Sequence, residues 1–114
     1  MAVQDRPDLN GSENMIDNIL KALLAELGDE PFDPSDLHEI ILHLQQRFGV
    51  FAEVKFDPSS AFRYSDELVD AIFRLELSGI IGNPYRVTNK EAVQAVTVDI
   101  PEEVRREFVR AVRG

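Results

Sequence analysis

The chain has 114 residues, of which 44% are apolar and 29% are charged, the balance of an ordinary folded domain with one hydrophobic core. It contains no cysteine, which excludes disulfides, thiol catalysis and zinc sites built on cysteine. The net charge of −9 argues against nucleic acid as the partner, because affinity for a phosphate backbone comes largely from Lys and Arg.

The first 13 residues are polar and carry Pro7 and Gly11 without apolar periodicity, which predicts a mobile tail. This segment has no apolar run, so it does not resemble a secretion signal, and no apolar run elsewhere is long enough to cross a bilayer. We therefore expect a cytoplasmic protein with no membrane partner, in which residues 14–114 form a single domain.

Two amphipathic helices are predicted in the first half of the domain. The first spans residues 14–27 and stops at Gly28, and the second opens at the capping residue Asp33 and stops at Gly49. The apolar stripe of the first helix consists of Met15, Ile16, Ile19, Leu20, Leu23, Leu24 and Leu27. The apolar stripe of the second helix consists of Leu37, Ile40, Ile41, Leu44 and Phe48.

A short strand is predicted after the second helix. Within residues 50–56, apolar and polar side chains alternate from Ala52 to Phe56, which is typical of a half-buried strand. The sequence Asp-Pro-Ser-Ser at residues 57–60 then predicts a turn.

The third predicted helix covers residues 65–78 and ends before Gly79. Its core-facing stripe consists of Leu68, Ala71, Ile72 and Leu75. Val69, Phe73 and Leu77 extend the apolar surface well around the helix, so we expect two of its faces to contact protein.

A turn at residues 82–84 follows, and Tyr85–Thr88 is expected to pair with Val93–Val98 as a hairpin. A last helix, Glu102–Val112, is predicted after Pro101. The order helix-helix-strand-helix-hairpin-helix predicts an α+β fold that is winged-helix-like.

No catalytic or cofactor-binding motif stands out. His38 and His43 lie five residues apart, about 140° around a helix, so one metal ion cannot easily take both. Asp36, Glu39 and His43 do share a helix face, which leaves a metal-dependent or acid-base enzyme as a minor option beside a plain solvated face. There is no glycine-rich phosphate loop and no nucleophile elbow. We predict a protein that is not an enzyme and uses no metal or other cofactor.

The basic residues of the second half offer an alternative function, that of a DNA-binding transcriptional regulator. In DNA-binding winged helices the third helix enters the major groove and the wing contacts the backbone. The candidate DNA contacts are Arg86, Lys90, Arg106 and Arg110. The same arginines also fit a surface of salt bridges. Against one Arg74, the third helix carries four acids, Asp66, Glu67, Asp70 and Glu76, so nucleic acid is the less favoured partner.

The favoured function is a non-catalytic protein-interaction or regulatory module. The wide apolar surface of the third helix predicts a partner surface that includes Phe73 and Leu77, unless a small core needs these side chains to fill itself. Tyr64 and Tyr85 bracket this helix, and they either anchor the partner or close the end of a small core. The expected partner is another protein or a second copy of this chain as a homodimer.

Two stretches around the third helix carry a family resemblance: Phe62-Arg63-Tyr64-Ser65-Asp66-Glu67-Leu68 and Leu75-Glu76-Leu77-Ser78-Gly79-Ile80-Ile81. They resemble the Panacea-type and YwgA-like proteins of bacteria and phages, in which a Tyr-Ser step opens a helix and a leucine, a glycine and an isoleucine follow. The resemblance implies a winged-helix-like α+β domain and a role as antitoxin or adaptor rather than catalysis. It carries over no functional residues.

Overall fold

The structure is a computed structural model that describes residues 5–57, 65–96 and 98–114, with side chains from residue 15 onward. Its helices are α1 (Asp5–Ala25), α2 (Pro34–Phe48), α3 (Asp66–Leu77), α4 (Lys90–Gln94) and α5 (Glu102–Arg113). Two short strands, β1 (Ile81–Gly82) and β2 (Arg86–Val87), pair antiparallel between α3 and α4. The part of the chain described here is therefore mostly helical with one small sheet, an α+β fold.

Helix α1 begins at Asp5 rather than at residue 14, so the predicted start of the helix was wrong. Proline is tolerated in the first turn of a helix, where its missing N–H costs no hydrogen bond, and Pro7 lies in that turn. Gly11 weakens a helix without ending it. Of the predicted mobile tail, residues 1–4 lie outside the described residues.

Helix α2 has the ends that its capping residues predict. The Asp33 carboxylate accepts a hydrogen bond from the Ser35 backbone N–H at 2.8 Å, and Pro34 occupies the first helical turn. At the other end Gly49 has a φ of 69°, a left-handed conformation that suits glycine, and its N–H donates to the Gln45 carbonyl. Both ends follow from local chemistry.

Residues 50–56 do not form the predicted strand. Phe51 has a φ of 60°, and its carbonyl accepts a hydrogen bond from the Val54 N–H, so the backbone turns here. The Gln45 side-chain amide donates to the carbonyls of Phe51 and Val54 at 2.8 and 2.9 Å. These bonds satisfy the backbone of the loop without a neighbouring strand. The predicted turn at residues 57–60 lies almost entirely outside the described residues.

Helix α3 matches its prediction closely. The Ser65 hydroxyl caps it by accepting a hydrogen bond from the Leu68 N–H at 3.4 Å, and Ser78 follows its last residue. The predicted core-facing stripe is at most 6% exposed and consists of Leu68, Ala71, Ile72 and Leu75.

The β-ribbon lies earlier in the chain than the predicted hairpin. Ile81 pairs with Val87 and Gly82 pairs with Arg86, so the Gly-Asn-Pro turn closes the ribbon instead of preceding it. The Asn83–Pro84 peptide bond within this turn is cis.

Helix α4 occupies the start of the predicted strand Val93–Val98, which was therefore wrong. The Asn89 side chain caps α4 by accepting a hydrogen bond from the Ala92 N–H at 3.1 Å. Four of the five α4 residues are good helix formers, and the helix buries the fifth, Val93. The capping signal outweighs the valines that suggested a strand, since β-propensity depends strongly on context.

The core lies between two sets of packed helices. Helix α1 packs against α3 and α4, and α2 packs against α5, which begins after Pro101 as predicted. The α5 residue Phe108 is completely buried in this core. Helices α1, α2 and α3 contribute further fully buried side chains: Leu20, Leu23, Leu24, Leu37, Ile41, Leu44, Leu68 and Leu75.

Candidate functional site

The outer face of α3 exposes three large apolar side chains. Val69 is 40% exposed, Phe73 is 58% exposed and Leu77 is 71% exposed. We call these three residues the α3 ridge. In the part of the chain that the structure describes, the other exposed large hydrophobic residue is Met15 of α1. Isolated exposed hydrophobics are ordinary, but a contiguous apolar row indicates an interaction surface.

The α3 ridge is one continuous row along the helix. Its members are spaced i, i+4 and i+8, so each step advances about 40° around the helix and the row extends about 12 Å along the axis. The opposite face of α3 buries Leu68, Ala71 and Leu75. The helix is thus anchored on one side and leaves an apolar row on the other.

Carboxylates flank the α3 ridge on both sides. Residues three and four apart on a helix are neighbours, so the adjacent row on one side contains Asp66, Asp70 and Arg74. The adjacent row on the other side contains Glu76. Asp66 and Asp70 are exposed and Glu76 is half-buried. The surface is therefore apolar along its centre and acidic at its edges.

The one base of α3 forms an ion pair with α1. The Arg74 guanidinium donates from Nε and Nη2 to the Asp17 carboxylate of α1, with N···O distances of 3.0 and 2.7 Å. This two-pronged geometry is the stronger form of an arginine-carboxylate pair. The positive charge of Arg74 is thus balanced by α1.

The two predicted aromatic anchors are Tyr64 and Tyr85. Tyr64 lies outside the described residues. Tyr85 is half-buried, and its ring lies 6.0 Å from the Phe32 ring, centroid to centroid. The Tyr85 carbonyl also accepts a hydrogen bond from the Phe32 N–H at 2.9 Å. These contacts match the alternative role, in which Tyr85 closes the end of the core.

The predicted wing contacts Arg86 and Lys90 lie close together. Both are exposed and line one shallow surface pocket, which Asp29 and Glu91 also line. Two carboxylates therefore accompany the two bases. This mixture reduces the positive potential that a phosphate backbone would meet.

The arginines of α5 also face carboxylates. The four ion pairs are Arg105–Glu26, Arg106–Glu102, Arg110–Glu107 and Arg113–Glu30. The pairs of Arg105, Arg106 and Arg113 are exposed on both sides and contribute little to stability. They also balance the positive charge of α5, which the DNA-binding alternative would need for contacts with phosphates.

Both histidines have hydrogen-bond partners within the fold. His43 Nε2 lies 3.0 Å from the Glu107 carboxylate, and His38 Nδ1 accepts a hydrogen bond from the Ser65 N–H at 3.1 Å. His43, which shares a helix face with Asp36 and Glu39, therefore contacts α5. Among the described residues no group of three His, Asp or Glu side chains is arranged to hold a metal ion.

Sequence reasoning missed Glu107, which is only 9% exposed between α2 and α5. Hydrogen bonds from the Arg110 guanidinium and from His43 lower the pKa of Glu107 to about 2. The available signal was a glutamate beside the buried Phe108 with an arginine three residues later. The role of this cluster is to join α5 to α2.

Comparison with known proteins adds no family assignment. No family model, curated protein or solved structure shows a significant match to this chain. Within the described residues, no helix is both long enough and apolar enough to cross a membrane. Function is therefore inferred from the side chains and their arrangement.

Proposed function

We propose that this protein is a non-catalytic interaction or regulatory module that binds another protein through the α3 ridge. The observation that carries the proposal is the row of three exposed apolar side chains on a helix whose opposite face is buried. Burying one large apolar side chain contributes about 1.5–3 kcal/mol. A partner that covers Phe73 and Leu77 would therefore gain the kind of energy that concentrates in interface hot spots.

The proposal includes a winged-helix-like arrangement. Two helices, α3 and a two-stranded ribbon follow one another in the order typical of such domains. Helix α3 then takes the position of the helix that enters the major groove in DNA-binding members of this class. An apolar row edged by carboxylates favours polypeptide over DNA at that position, because carboxylates repel phosphates.

DNA binding through Arg86, Lys90, Arg106 and Arg110 is the competing function. Carboxylates lie beside each of these bases and reduce the positive potential that phosphates would meet. A gel-shift titration across salt concentrations separates the two functions, because phosphate contacts make affinity fall steeply with salt. Tight, salt-sensitive binding to duplex DNA would contradict the proposal.

Photo-crosslinking in the host cells tests the proposal directly. A photoreactive amino acid at position 77, where the native Leu77 is 71% exposed, is expected to form a discrete adduct with another polypeptide. The matched control places the same amino acid at Glu103, an exposed position of α5. The proposal fails if adducts form from position 103 and none forms from position 77.

A further inference from the structure

We infer that the α3 ridge receives a basic amphipathic helix from another protein, an inference that rests on the proposed function. Two features of the ridge carry it. The first is the i, i+4, i+8 spacing of Val69, Phe73 and Leu77, which sets the shape of the surface. The second is the set of carboxylates on its two sides, Asp66, Asp70 and Glu76, which sets its charge.

The shape of the ridge suits a helical partner. Side chains spaced four residues apart form a ridge that fits the groove between two such ridges of a second helix. The row of about 12 Å corresponds to about two turns of a partner helix. Such a helix would present apolar residues at i, i+3, i+4 and i+7, the pattern of helix-in-groove recognition.

The charge of the edges selects a basic helix. Asp66 and Asp70 lie on one side of the α3 ridge and Glu76 lies on the other, while Arg74 is paired with Asp17. A partner with Lys or Arg beside its apolar row meets an opposite charge on each side. A partner with acids in those places meets like charges, which costs affinity.

A second copy of this chain is a poor occupant of the α3 ridge. In a twofold-symmetric dimer the same surface meets itself, so the acid-rich edges of one copy would meet the acid-rich edges of the other. Helix α5 could supply arginines in a different arrangement, but each of its four arginines already faces a glutamate. The partner is therefore assigned to a different protein.

Three synthetic peptides test the charge and the shape. Each has about 18 residues, enough for about five helical turns. The first has leucines on one helical face with lysines beside them, and the second replaces these lysines with glutamates. The third contains the residues of the first in an order that gives the leucines no common face. Fluorescence anisotropy at two salt concentrations gives the affinity of each peptide.

The expected result is a preference of at least about tenfold for the lysine peptide over the other two peptides, equal to about 1.4 kcal/mol. Leu77→Asp should remove this binding. The double variant Asp70→Lys with Glu76→Lys should weaken the lysine peptide by about tenfold and strengthen the glutamate peptide. The matched control Glu39→Lys with Glu103→Lys makes the same change in net charge at two exposed positions away from the ridge, and it should preserve the preference.

The contrary outcomes separate the inference from the proposed function. Peptide binding that Leu77→Asp leaves unchanged would overturn the basic helical partner, whereas the proposed function stands or falls with crosslinking from position 77. Binding that depends on Leu77 but is equal for the lysine and glutamate peptides would overturn only the basic partner. A native dimer that Leu77→Asp converts to a monomer, measured by light scattering, would assign the ridge to a second copy and overturn the inference.

Discussion

Among single residues, His38 shows how a buried side chain connects two elements. Its Nδ1 accepts a hydrogen bond from the N–H of Ser65, the residue that caps α3. Burial lowers the pKa of His38, because desolvation disfavours the charged ring. A protonated Nδ1 could not accept this bond. Neutral His38 thus holds the beginning of α3 against α2.

The His38 contact predicts an acid-sensitive stability. The unfolded chain binds a proton at His38 near the ordinary pKa of about 6.5, whereas the folded chain resists it. The stability contribution is therefore present above that pH and is lost as the pH falls toward the lower folded pKa. His38→Asn keeps an acceptor near the Nδ1 position without titrating. Urea unfolding at about pH 7.5 and at about pH 5 brackets the usual His pKa. The loss of stability between these two pH values should be smaller in the variant than in the native protein. An equal loss in both proteins would contradict this role.

Glu107 predicts a second pH effect at lower pH. Its folded pKa of about 2 lies below the ordinary value, because Arg110 and His43 bond to the ionised carboxylate. Its contribution to stability is thus complete above the unfolded pKa of about 4.3 and is lost as the pH falls toward the folded pKa.

Glu107→Gln tests this contribution by removing the charge. The variant should be less stable than the native protein at neutral pH and should lose less stability on acidification. Glu103→Gln, one turn earlier and exposed, is the matched control and should behave like the native protein. Thermal unfolding at several pH values measures both. A Glu107→Gln protein with the native acid profile would show that the cluster does not stabilise the ionised form.

Among the secondary-structure elements, α3 is buried on one face and exposes apolar side chains on the other. Leu75 is 2% exposed and belongs to the core, whereas Leu77, two residues later, is 71% exposed. The same residue type on the same helix therefore allows a matched comparison of core and surface.

Leu75→Ala should lower the free energy of unfolding by about 2–5 kcal/mol, because it leaves a cavity in a packed core. Leu77→Ala should change it by about 0.5 kcal/mol or less, as is usual at exposed positions. Urea denaturation of both variants gives the comparison. A large loss of stability in Leu77→Ala would show that the α3 ridge belongs to the fold rather than to a binding surface.

The elements that could be predicted are those with caps in the sequence. Asp33, Gly49 and Ser65 mark helix ends through bonds to their near neighbours, and such local signals can be read from the residues alone. The strand predicted at residues 50–56 failed for a different reason. Its backbone is satisfied by the side chain of Gln45, a contact that an alternating pattern does not reveal.

The candidate site shows the same division. The apolar excess of Phe73 and Leu77 was visible in the sequence, but their exposure depends on which face of α3 meets α1. The pairing of Arg74 with Asp17 spans 57 positions of the chain, and no local pattern predicts it. The sequence left open whether Tyr85 anchors a partner or closes the end of the core, because its contact with Phe32, from a distant loop, has no local signal.

For the whole molecule, the central feature is an apolar row on a strongly acidic body. The net charge of −9 disfavours contact with phosphate backbones and other acidic surfaces. The packing of α1 against α3 and α4, and of α2 against α5, closes the core and leaves the α3 ridge outside. In the part of the chain that the structure describes, a closed core is thus combined with an exposed apolar row on α3.

Binding through the α3 ridge is tested most directly by measuring the affinity of the partner that crosslinking identifies. Isothermal titration calorimetry should show that Phe73→Ala with Leu77→Ala weakens binding by at least about tenfold, or about 1.4 kcal/mol. The control pair Glu39→Ala with Glu103→Ala, exposed positions away from the ridge, should bind as the native protein does. Native affinity in the Phe73 and Leu77 double variant would show that the partner does not bind through the α3 ridge.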